Sequence, residues 1–341
     1  MIYGEELGAG GISTKTIPPQ GLNLTLKGGN GKIDCTFTGI TSEWLYLGQY
    51  YRLIAKPGSA PTSPMDGVQV KDVQVGAIGD AVISASIEGL TNGVQYYVRL
   101  YVRGENGWQT SVDAVGTATP VAGIALSTIA ASDETTEQII MLPEQGVPVK
   151  FLLLKHNYEN SGRSLVCRKD LYDSRKWNSS DINTYATSTI DSWLNTTYFS
   201  LVGEDVRNQI SEVEIPYTIG NGNYSVSAIG RKVFLLSYTE TGFSGSQYAK
   251  TEGTAIPYFS NNDRRKCTFD GNGAYWWLRS PSTRYTYYVW SVDAGGGSNP
   301  NTPPANLNGF LAYSRPAFTL PADMLFNPEP NPDGSYSPLA A

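Results

Sequence analysis

Seven short runs of alternating apolar and polar residues, separated by turn residues, lie between Gly21 and Thr119. In order along the chain they are LNLTLK, KIDCTFT, YYRLIAK, VQVKDVQV, AVISASIEGL, VQYYVRLYVRG and SVDAVGTAT. A period of two is the pattern of strands that bury one face, and regularly spaced short strands of this kind are typical of β-sandwiches. The sequence therefore predicts a β-sandwich over residues 20–120.

The sixth run carries the most specific signal in this part of the chain. Apolar residues alternate from Tyr96 to Val102, and Asn106-Gly107 follows as a hairpin turn. This stretch resembles the corner between strands E and F of fibronectin type III domains, with Tyr96 or Tyr97 as the tyrosine-corner residue. The resemblance implies that these aromatic residues are structural.

Composition shifts divide the rest of the chain. Residues 1–19 are Gly-rich and end in two prolines, which predicts an arm or attachment segment. Small residues at 121–127 predict a linker, and a second domain follows over 128–321. Residues 322–341 hold four of the chain's 20 prolines and are expected to form an extended, poorly packed tail.

The second domain mixes strand and helix patterns, which predicts an α+β fold. Residues 137–158 read as a hairpin whose second strand is apolar enough to be central in a sheet. Near Ser188 the apolar period changes from two towards 3.6, and Asp191 three residues on completes a capping pair. A second short helix is expected over 201–210, and a buried strand over 231–237.

No group of residues in the sequence marks a catalytic site, and the spacing of the many carboxylates gives no reason to choose one pair as acid and base. His156 is the only histidine, which excludes a site with two histidine ligands within one chain, and its place at the end of an apolar run favours a structural role. Cys35 alternates with core residues, whereas Cys167 and Cys267 lie beside basic residues that could lower a thiol pKa. Neither has a second cysteine or a histidine nearby in sequence. The expectation is a protein that is not an enzyme, with no catalytic residue, no cofactor and no metal.

Charge and hydropathy exclude two classes of partner. With 25 Lys and Arg against 31 Asp and Glu the net charge is −6, which disfavours binding to nucleic acid or to anionic membranes. No apolar run is long enough to span a membrane, and the N-terminus lacks the pattern of a signal peptide. We expect a protein made in a bacterial cytoplasm, without membrane insertion.

The segment 281–313 differs from the rest of the chain. Arg284 and Asp293 are its only charged residues, and Tyr, Ser, Thr, Asn and Gly dominate it. Tyrosine offers a rigid contact surface while Ser and Asn offer adaptable hydrogen bonds, the composition of antibody paratopes. An ordinary turn-rich hairpin would share much of this composition, so this signal alone leaves both interpretations open.

Apolar brackets flank this segment: WWLRSP before it and SRPAF after it. The sequence predicts that the large apolar residues of both brackets are core: Trp276, Trp277, Leu278, Phe318 and Leu320. Arg279 and Arg315 are expected to bind loop carbonyls or a carboxylate.

The two brackets, with LVCRKDLYDSRKWNSSDINTYATSTIDSWLNTTY, RKVFLLSYTETG and AKTEGTAIPYF, resemble a family of C-type-lectin-like domains of prophage tail proteins. That family shares the fold of formylglycine-generating enzymes, and the resemblance covers about 127–321. Several relatives, a phage major tropism determinant among them, are variable proteins diversified by retroelements. The resemblance implies a receptor-binding protein of a virion tail whose variable face lies within 274–318.

Carried onto this chain, the resemblance places the ligand-binding residues between the brackets. The candidates are Ser282, Thr283, Arg284, Tyr285, Thr286, Tyr287, Tyr288, Trp290, Asp293, Ala294, Ser298, Asn299, Asn301, Thr302, Asn306, Asn308, Phe310, Leu311 and Tyr313. The implied partners are a bacterial surface protein or glycan and, through the N-terminal arm, other tail proteins. We expect a homo-oligomer and hypothesise that it is a trimer.

Two departures from the family limit what is carried over. Tyr313 stands where relatives commonly have Gly, so the last loop is expected to turn differently. The paired cysteines of the oxidase branch have no counterpart, and the Glu329-Pro330-Asn331 triplet lacks the companion calcium motif. We therefore expect calcium-independent binding without oxidase activity. The alternative is a structural tail-fibre or baseplate protein in which the same face is a subunit interface.

Overall fold

The computed structural model describes residues 22–38, 50–69, 73–74, 82–104, 107–111, 114–302 and 312–339. The chain divides into two compact units, the first ending at Gly123 and the second comprising Ile124–Leu339. Most of the regular structure is β-strand, arranged in several sheets, with few helices. The β-rich character predicted from the alternating runs is confirmed.

The described residues of the first unit form nine strands. They are β1 (Thr25–Gly29), β2 (Lys32–Thr38), β3 (Tyr50–Pro57), β4 (Val68–Gln69), β5 (Val73–Gln74), β6 (Val82–Ile87), β7 (Tyr96–Gly104), β8 (Gly107–Gln109) and β9 (Val115–Ala118). One sheet has the order β1-β2-β6, and the other the order β4-β3-β7-β8, with β5 also on β3 and β9 also on β7. Alternate residues of both sheets, such as Phe37 and Leu100, form one apolar core. Cys35 belongs to this core, as expected.

The second unit contains the remaining strands. They are β10 (Ile124–Ala125), β11 (Ile139–Glu144), β12 (Val147–Lys155), β13 (Arg163–Arg168), β14 (Ser174–Arg175), β15 (Val213–Gly220), β16 (Asn223–Arg231), β17 (Val233–Phe234), β18 (Thr268–Phe269), β19 (Asn272–Gly273), β20 (Trp276–Pro281), β21 (Val289–Val292), β22 (Ser298–Thr302), β23 (Ala312–Tyr313), β24 (Ala317–Pro321) and β25 (Leu325–Phe326).

Two five-stranded sheets carry the second unit. One has the order β11-β12-β13-β24-β17, so the predicted hairpin forms and its second strand is interior. The other has the order β14-β23-β20-β21-β22, in which β23 pairs with β20 in parallel. All six residues of β20 are buried, and the five apolar bracket residues expected in the core are fully buried. The first bracket is thus a buried strand, and the second leads into the buried strand β24.

The helices of the second unit are short. α1 (Thr189–Trp193), a π-helical turn (Leu194–Tyr198) and α2 (Phe199–Leu201) follow one another, and α3 (Glu204–Arg207) and α4 (Asn262–Arg265) are single turns. The Ser188 hydroxyl accepts a hydrogen bond from the Asp191 amide, which confirms the predicted cap. Four 3₁₀ turns complete the helical structure of the described chain: Leu126–Thr128, Tyr158–Asn160, Tyr185–Thr187 and Pro257–Phe259. None of its helices is long and apolar enough to cross a membrane.

The C-terminal residues are packed on the second unit, so the prediction of a poorly packed tail is wrong. Strand β25 pairs with β10, and Phe326 is fully buried. The main chain of Tyr336 exchanges hydrogen bonds with Ile139 and Met141 of β11. Proline does not prevent this packing, because isolated bridges and short pairs need few consecutive amide donors. Strand β10 and the buried Leu126 lie within the expected linker, and they too belong to the second unit.

Candidate functional site

The loop between β20 and β21, residues 282–288, presents three tyrosines to solvent, and we call it the tyrosine loop. Tyr285 and Tyr287 are 40% and 39% exposed. Their rings are stacked with centroids 5.2 Å apart and planes inclined by 19°. Tyr288 packs edge-on against both rings, at 5.6 Å from Tyr285 and 4.7 Å from Tyr287. The three rings therefore form one aromatic cluster, and its two most exposed members are accessible to a ligand.

A buried asparagine holds the main chain of this loop. The Asn183 side-chain Nδ2 donates to the carbonyls of Ser282 (3.2 Å), Tyr285 (3.0 Å) and Tyr288 (2.9 Å). Its main-chain amide donates to the Thr286 carbonyl at 3.1 Å. One fully buried residue thus satisfies four carbonyls of a seven-residue loop, which fixes the loop's path.

Asn183 also connects the loop to the turn between β15 and β16. Its Oδ1 accepts from the Asn221 amide at 2.7 Å. The neighbouring Gly220 has φ of 87°, and a Cβ there would lie 2.3 Å from the Asn183 carbonyl oxygen. Glycine is required for so close an approach in this conformation. The hairpin turn and the tyrosine loop are therefore joined through the same side chain.

Further contacts come from the segment around Tyr248. Its carbonyl accepts from the Thr283 amide at 2.9 Å. Within the loop itself, the Ser282 amide donates to the Tyr288 carbonyl at 2.9 Å. The Arg284 guanidinium lies over two rings, 5.3 Å from the centroid of Tyr248 and 5.2 Å from that of Tyr285. Such cation–π contacts orient an exposed arginine without neutralising it. The loop thus combines an aromatic surface with one positive charge.

The base of the loop is a buried ion pair on β20. Arg279 and Glu240 are fully buried and joined by two hydrogen bonds of 2.6 and 2.9 Å. Arg279 also donates to the carbonyls of Pro216 and Leu235, each at 2.8 Å. Burial alone would lower the pKa of Arg279, but the Glu240 carboxylate outweighs burial and raises it. The arginine therefore stays charged, and the prediction that it binds carbonyls or a carboxylate is confirmed.

Next to this pair lies a second buried carboxyl, Glu252. It accepts from the Thr218 amide at 2.6 Å and from the hydroxyl of Ser280. Burial raises the pKa of Glu252, and the nearby Arg279 only partly opposes the rise. Glu252 thus connects the edge of β15 that faces away from β16 with the end of β20, where the tyrosine loop begins.

Arg315 of the second bracket is also buried and donates to the carbonyls of Arg168 and Lys169, both at 3.1 Å. This too matches the expectation. The two cysteines near it are not activated by their basic neighbours. Burial raises the pKa of Cys167 to about 12 and also raises that of Cys267. At neutral pH both are protonated thiols, the weaker form for nucleophilic attack.

His156 has a structural role, as expected. Its two ring nitrogens lie 2.8 Å from the Ser164 hydroxyl and 2.8 Å from the Ile129 carbonyl oxygen. Both nitrogens are used within the fold, so the only histidine of the chain is held by internal hydrogen bonds.

The structure corrects three of the ligand-binding candidates. Ser282, Trp290 and Thr302 are 0%, 2% and 1% exposed, so their side chains cannot contact a ligand on the surface. Trp290 lies on β21, between β20 and β22, with its ring 4.3 Å from that of Tyr238 and its Nε1 bound to the Tyr248 carbonyl. The composition of 281–313 predicted that Trp290 is at the surface, but its position on an interior strand buries it.

Five more of the described candidates lie in the turn between β21 and β22 and on β22. Asp293 caps a turn by accepting from the amides of Gly295 (2.8 Å) and Gly297 (2.9 Å), and Ala294 beside it is exposed. Ser298 and Asn299 are half-buried on β22, and Asn301 there is exposed.

Tyr313 lies apart from these residues. It is on β23, on the other side of β20 from β21 and β22, with its ring 4.7 Å from that of Phe269. The candidates Asn306, Asn308, Phe310 and Leu311 lie outside the described residues.

A concave surface lies near the N-terminus of α1. This cleft of about 480 Å³ is lined by polar residues, among them Ser188, Asn195, Glu212 and Lys232. The guanidinium of Arg231, which also lines it, is bound to the Asp191 carboxylate and to two carbonyls. Arg231 and Asp191 of the cleft are thus paired with each other within the fold.

The fold and this site define a mostly-β protein that carries an aromatic loop on a buried polar base. A family described as a domain of unknown function, DUF6273, has a model that matches residues 151–322. The chain belongs to this family. The matched range contains the tyrosine loop, Asn183 and the buried ion pair. Comparison with the curated proteins gave no match.

Proposed function

We propose that this protein recognises a bacterial surface ligand, a protein or a glycan, through the tyrosine loop. The observation that carries the proposal is the cluster of Tyr285, Tyr287 and Tyr288 on a main chain fixed by Asn183. Aromatic side chains that are already positioned lose little conformational entropy on binding. Their rings provide apolar contact, and their hydroxyls and the Arg284 guanidinium provide hydrogen bonds around it.

We further propose that the first unit is a fibronectin type III-like β-sandwich that acts as a spacer. Its two sheets share one core, and the Tyr96 hydroxyl accepts from the Thr91 amide at 3.2 Å. A tyrosine hydroxyl bound to main chain a few residues upstream is the arrangement of a tyrosine corner. This contact supports the assignment that the sequence suggested for Tyr96.

For the second unit we propose a C-type-lectin-like fold and a place at the tip of a phage or prophage tail. The motif resemblance supports this proposal, together with the burial of both brackets and the exposure of the loop between them. Diversification by a retroelement belongs to the same proposal. It predicts a near-copy of the region encoding 276–318 beside a reverse transcriptase gene, differing mainly at adenines.

The proposed role is binding without catalysis. The side chains on the loop are three tyrosines, two threonines, one arginine and the buried Ser282. The buried carboxyls below it are engaged by Arg279, Ser280 and the Thr218 amide. These groups stabilise the loop from inside and are not exposed to a substrate. A recognition surface needs no more than the exposed rings and their polar atoms.

The test replaces Tyr285, Tyr287 and Tyr288 together by alanine and measures adsorption of the purified protein to a panel of intact bacterial cells. The matched control replaces three exposed apolar residues elsewhere, Met65 and Val82 in the first unit and Val147 in the second. We expect the tyrosine variant to lose adsorption with little change in Tm, and the control to adsorb as the original chain does. Unchanged adsorption of the tyrosine variant would refute the proposal.

The same variant separates recognition from the structural alternative. If the tyrosine loop is a subunit interface of a tail fibre or baseplate, the triple replacement lowers the mass measured by light scattering during size-exclusion chromatography. If it binds host ligands, the mass stays constant while adsorption is lost.

A further inference from the structure

The hairpin of β15 and β16 is a two-stranded sheet with one covered edge and, within the described part of the chain, one uncovered edge. On β15 the Pro216 carbonyl accepts from Arg279, and the Thr218 amide donates to Glu252. These groups point away from β16, into the buried base of the tyrosine loop. Among the described strands, β16 pairs only with β15.

The register fixes which groups of β16 face outward. Pro216 lies opposite Ala228 and Thr218 opposite Val226. Residues directly opposite each other in an antiparallel pair either exchange both hydrogen bonds or direct all four groups away. Because Pro216 and Thr218 bond away from β16, Val226 and Ala228 direct their own amides and carbonyls to the outer edge.

This edge lacks the features that usually block strand addition. Exposed edge strands are normally protected by charged residues, proline or cover from another element. Residues 223–230 contain neither a charged residue nor proline, and Ser225, Val226, Ser227 and Ala228 are all exposed. Exposure of consecutive residues means that both faces of the strand are bare.

We propose that β16 pairs with β16 of a second copy of this chain, antiparallel and about a two-fold axis at Ser227. In that register Val226 lies opposite Ala228 of the second copy, and their outward amides and carbonyls form four hydrogen bonds. A larger side chain faces a smaller one on one side of the ribbon, and Ser227 faces its own copy on the other. The two Arg231 residues lie at opposite ends, so no like charges meet.

The occupant is a second copy because the edge is self-complementary and neutral. A two-fold contact uses the same patch on both subunits. Since the other edge of the hairpin is covered by Arg279 and Glu252, pairing ends at a four-stranded ribbon and does not propagate. The hairpin turn is tied to the tyrosine loop through Asn183, so the dimer joins two tyrosine loops in one assembly.

The experiment measures the mass of the full chain by sedimentation velocity over a range of concentrations. We expect the original chain to approach twice its 37.0 kDa at high concentration. Ser227→Lys and Ser227→Glu each place like charges in contact across the axis, so each variant stays at the mass of one chain. An equal mixture of the two variants returns to twice that mass, because opposite charges then meet.

Two controls separate this contact from misfolding and from other interfaces. Ser211→Lys adds the same charge at an exposed serine outside β16 and leaves the dimer intact. Ala228→Pro removes an outward amide without removing a bond to β15, and it abolishes the dimer. The proposal is overturned if the original chain stays at the mass of one chain, forms a trimer, or still dimerises as Ser227→Lys.

Discussion

Replacing Asn183 by leucine removes the side chain that holds the tyrosine loop while keeping a similar volume in the core. Three loop carbonyls then lose a donor, and the Asn221 amide loses its acceptor. A buried polar group left without a partner costs about 1–3 kcal/mol. Two N–H groups served the three carbonyls, and part of the loop can reach water, so we expect a net loss on the order of 3 kcal/mol in the free energy of unfolding.

The loss should be concentrated in the loop. Its other anchors, the Thr283 and Ser282 amide bonds, remain. We therefore expect the amides of 282–288 to exchange hydrogen for deuterium faster in Asn183→Leu, while strand β12 exchanges as before. Cell adsorption should fall as well, because the rings are no longer held together.

Urea unfolding followed by tryptophan fluorescence and exchange followed by mass spectrometry measure both effects. Asn272→Leu is the control, since this asparagine is exposed on β19 and bonds only locally to the Asp270 carbonyl, and we expect a change of about 0.5 kcal/mol or less. If Asn183→Leu were as stable as this control and its loop exchanged at the original rate, the assigned role of Asn183 would be wrong.

The remaining predictions concern the buried base of the loop. Arg279→Met leaves Glu240 as a buried charge without its ion-pair partner and should lower the free energy of unfolding, measured by urea titration, by about 3–5 kcal/mol. Arg279→Met combined with Glu240→Gln should recover part of that loss. Equal losses in the single and double variants would contradict the ion-pair account. Burial raises the pKa of Glu252, so the folded chain binds more protons than the unfolded chain between the unfolded value of about 4.3 and the raised folded value. The contribution of Glu252 to stability is therefore greatest below that window and is lost as pH rises through it, and Glu252→Gln should show a flatter pH dependence across it; identical slopes in the two proteins would refute this.

Local patterns in the sequence predicted the parts of the fold that depend on local physics. The Ser188 cap, the hairpin of β11 and β12 and the buried brackets each follow from spacing within a few residues. The roles of Arg279 and Arg315 could also be predicted, because a charged residue inside an apolar strand must find carbonyls or a carboxylate.

The sequence did not identify Asn183, which reaches loop carbonyls about a hundred positions away. A single asparagine in a polar stretch carries no signal of burial. Trp290 illustrates the opposite error, because its neighbours suggested a surface loop. Only the position of β21 between two other strands decides that this ring is buried.

The hydrogen bonds of Asn183 end on carbonyl oxygens of the loop main chain, and every residue type offers the same carbonyl. The side chains of Arg284, Tyr285, Thr286 and Tyr287 make none of the bonds that fix the path of the loop. Their identities can therefore change while the loop keeps its shape, so that the specificity of the surface and the stability of the domain are set by different atoms. A randomised library at these four positions should consist mostly of folded proteins that differ in what they bind.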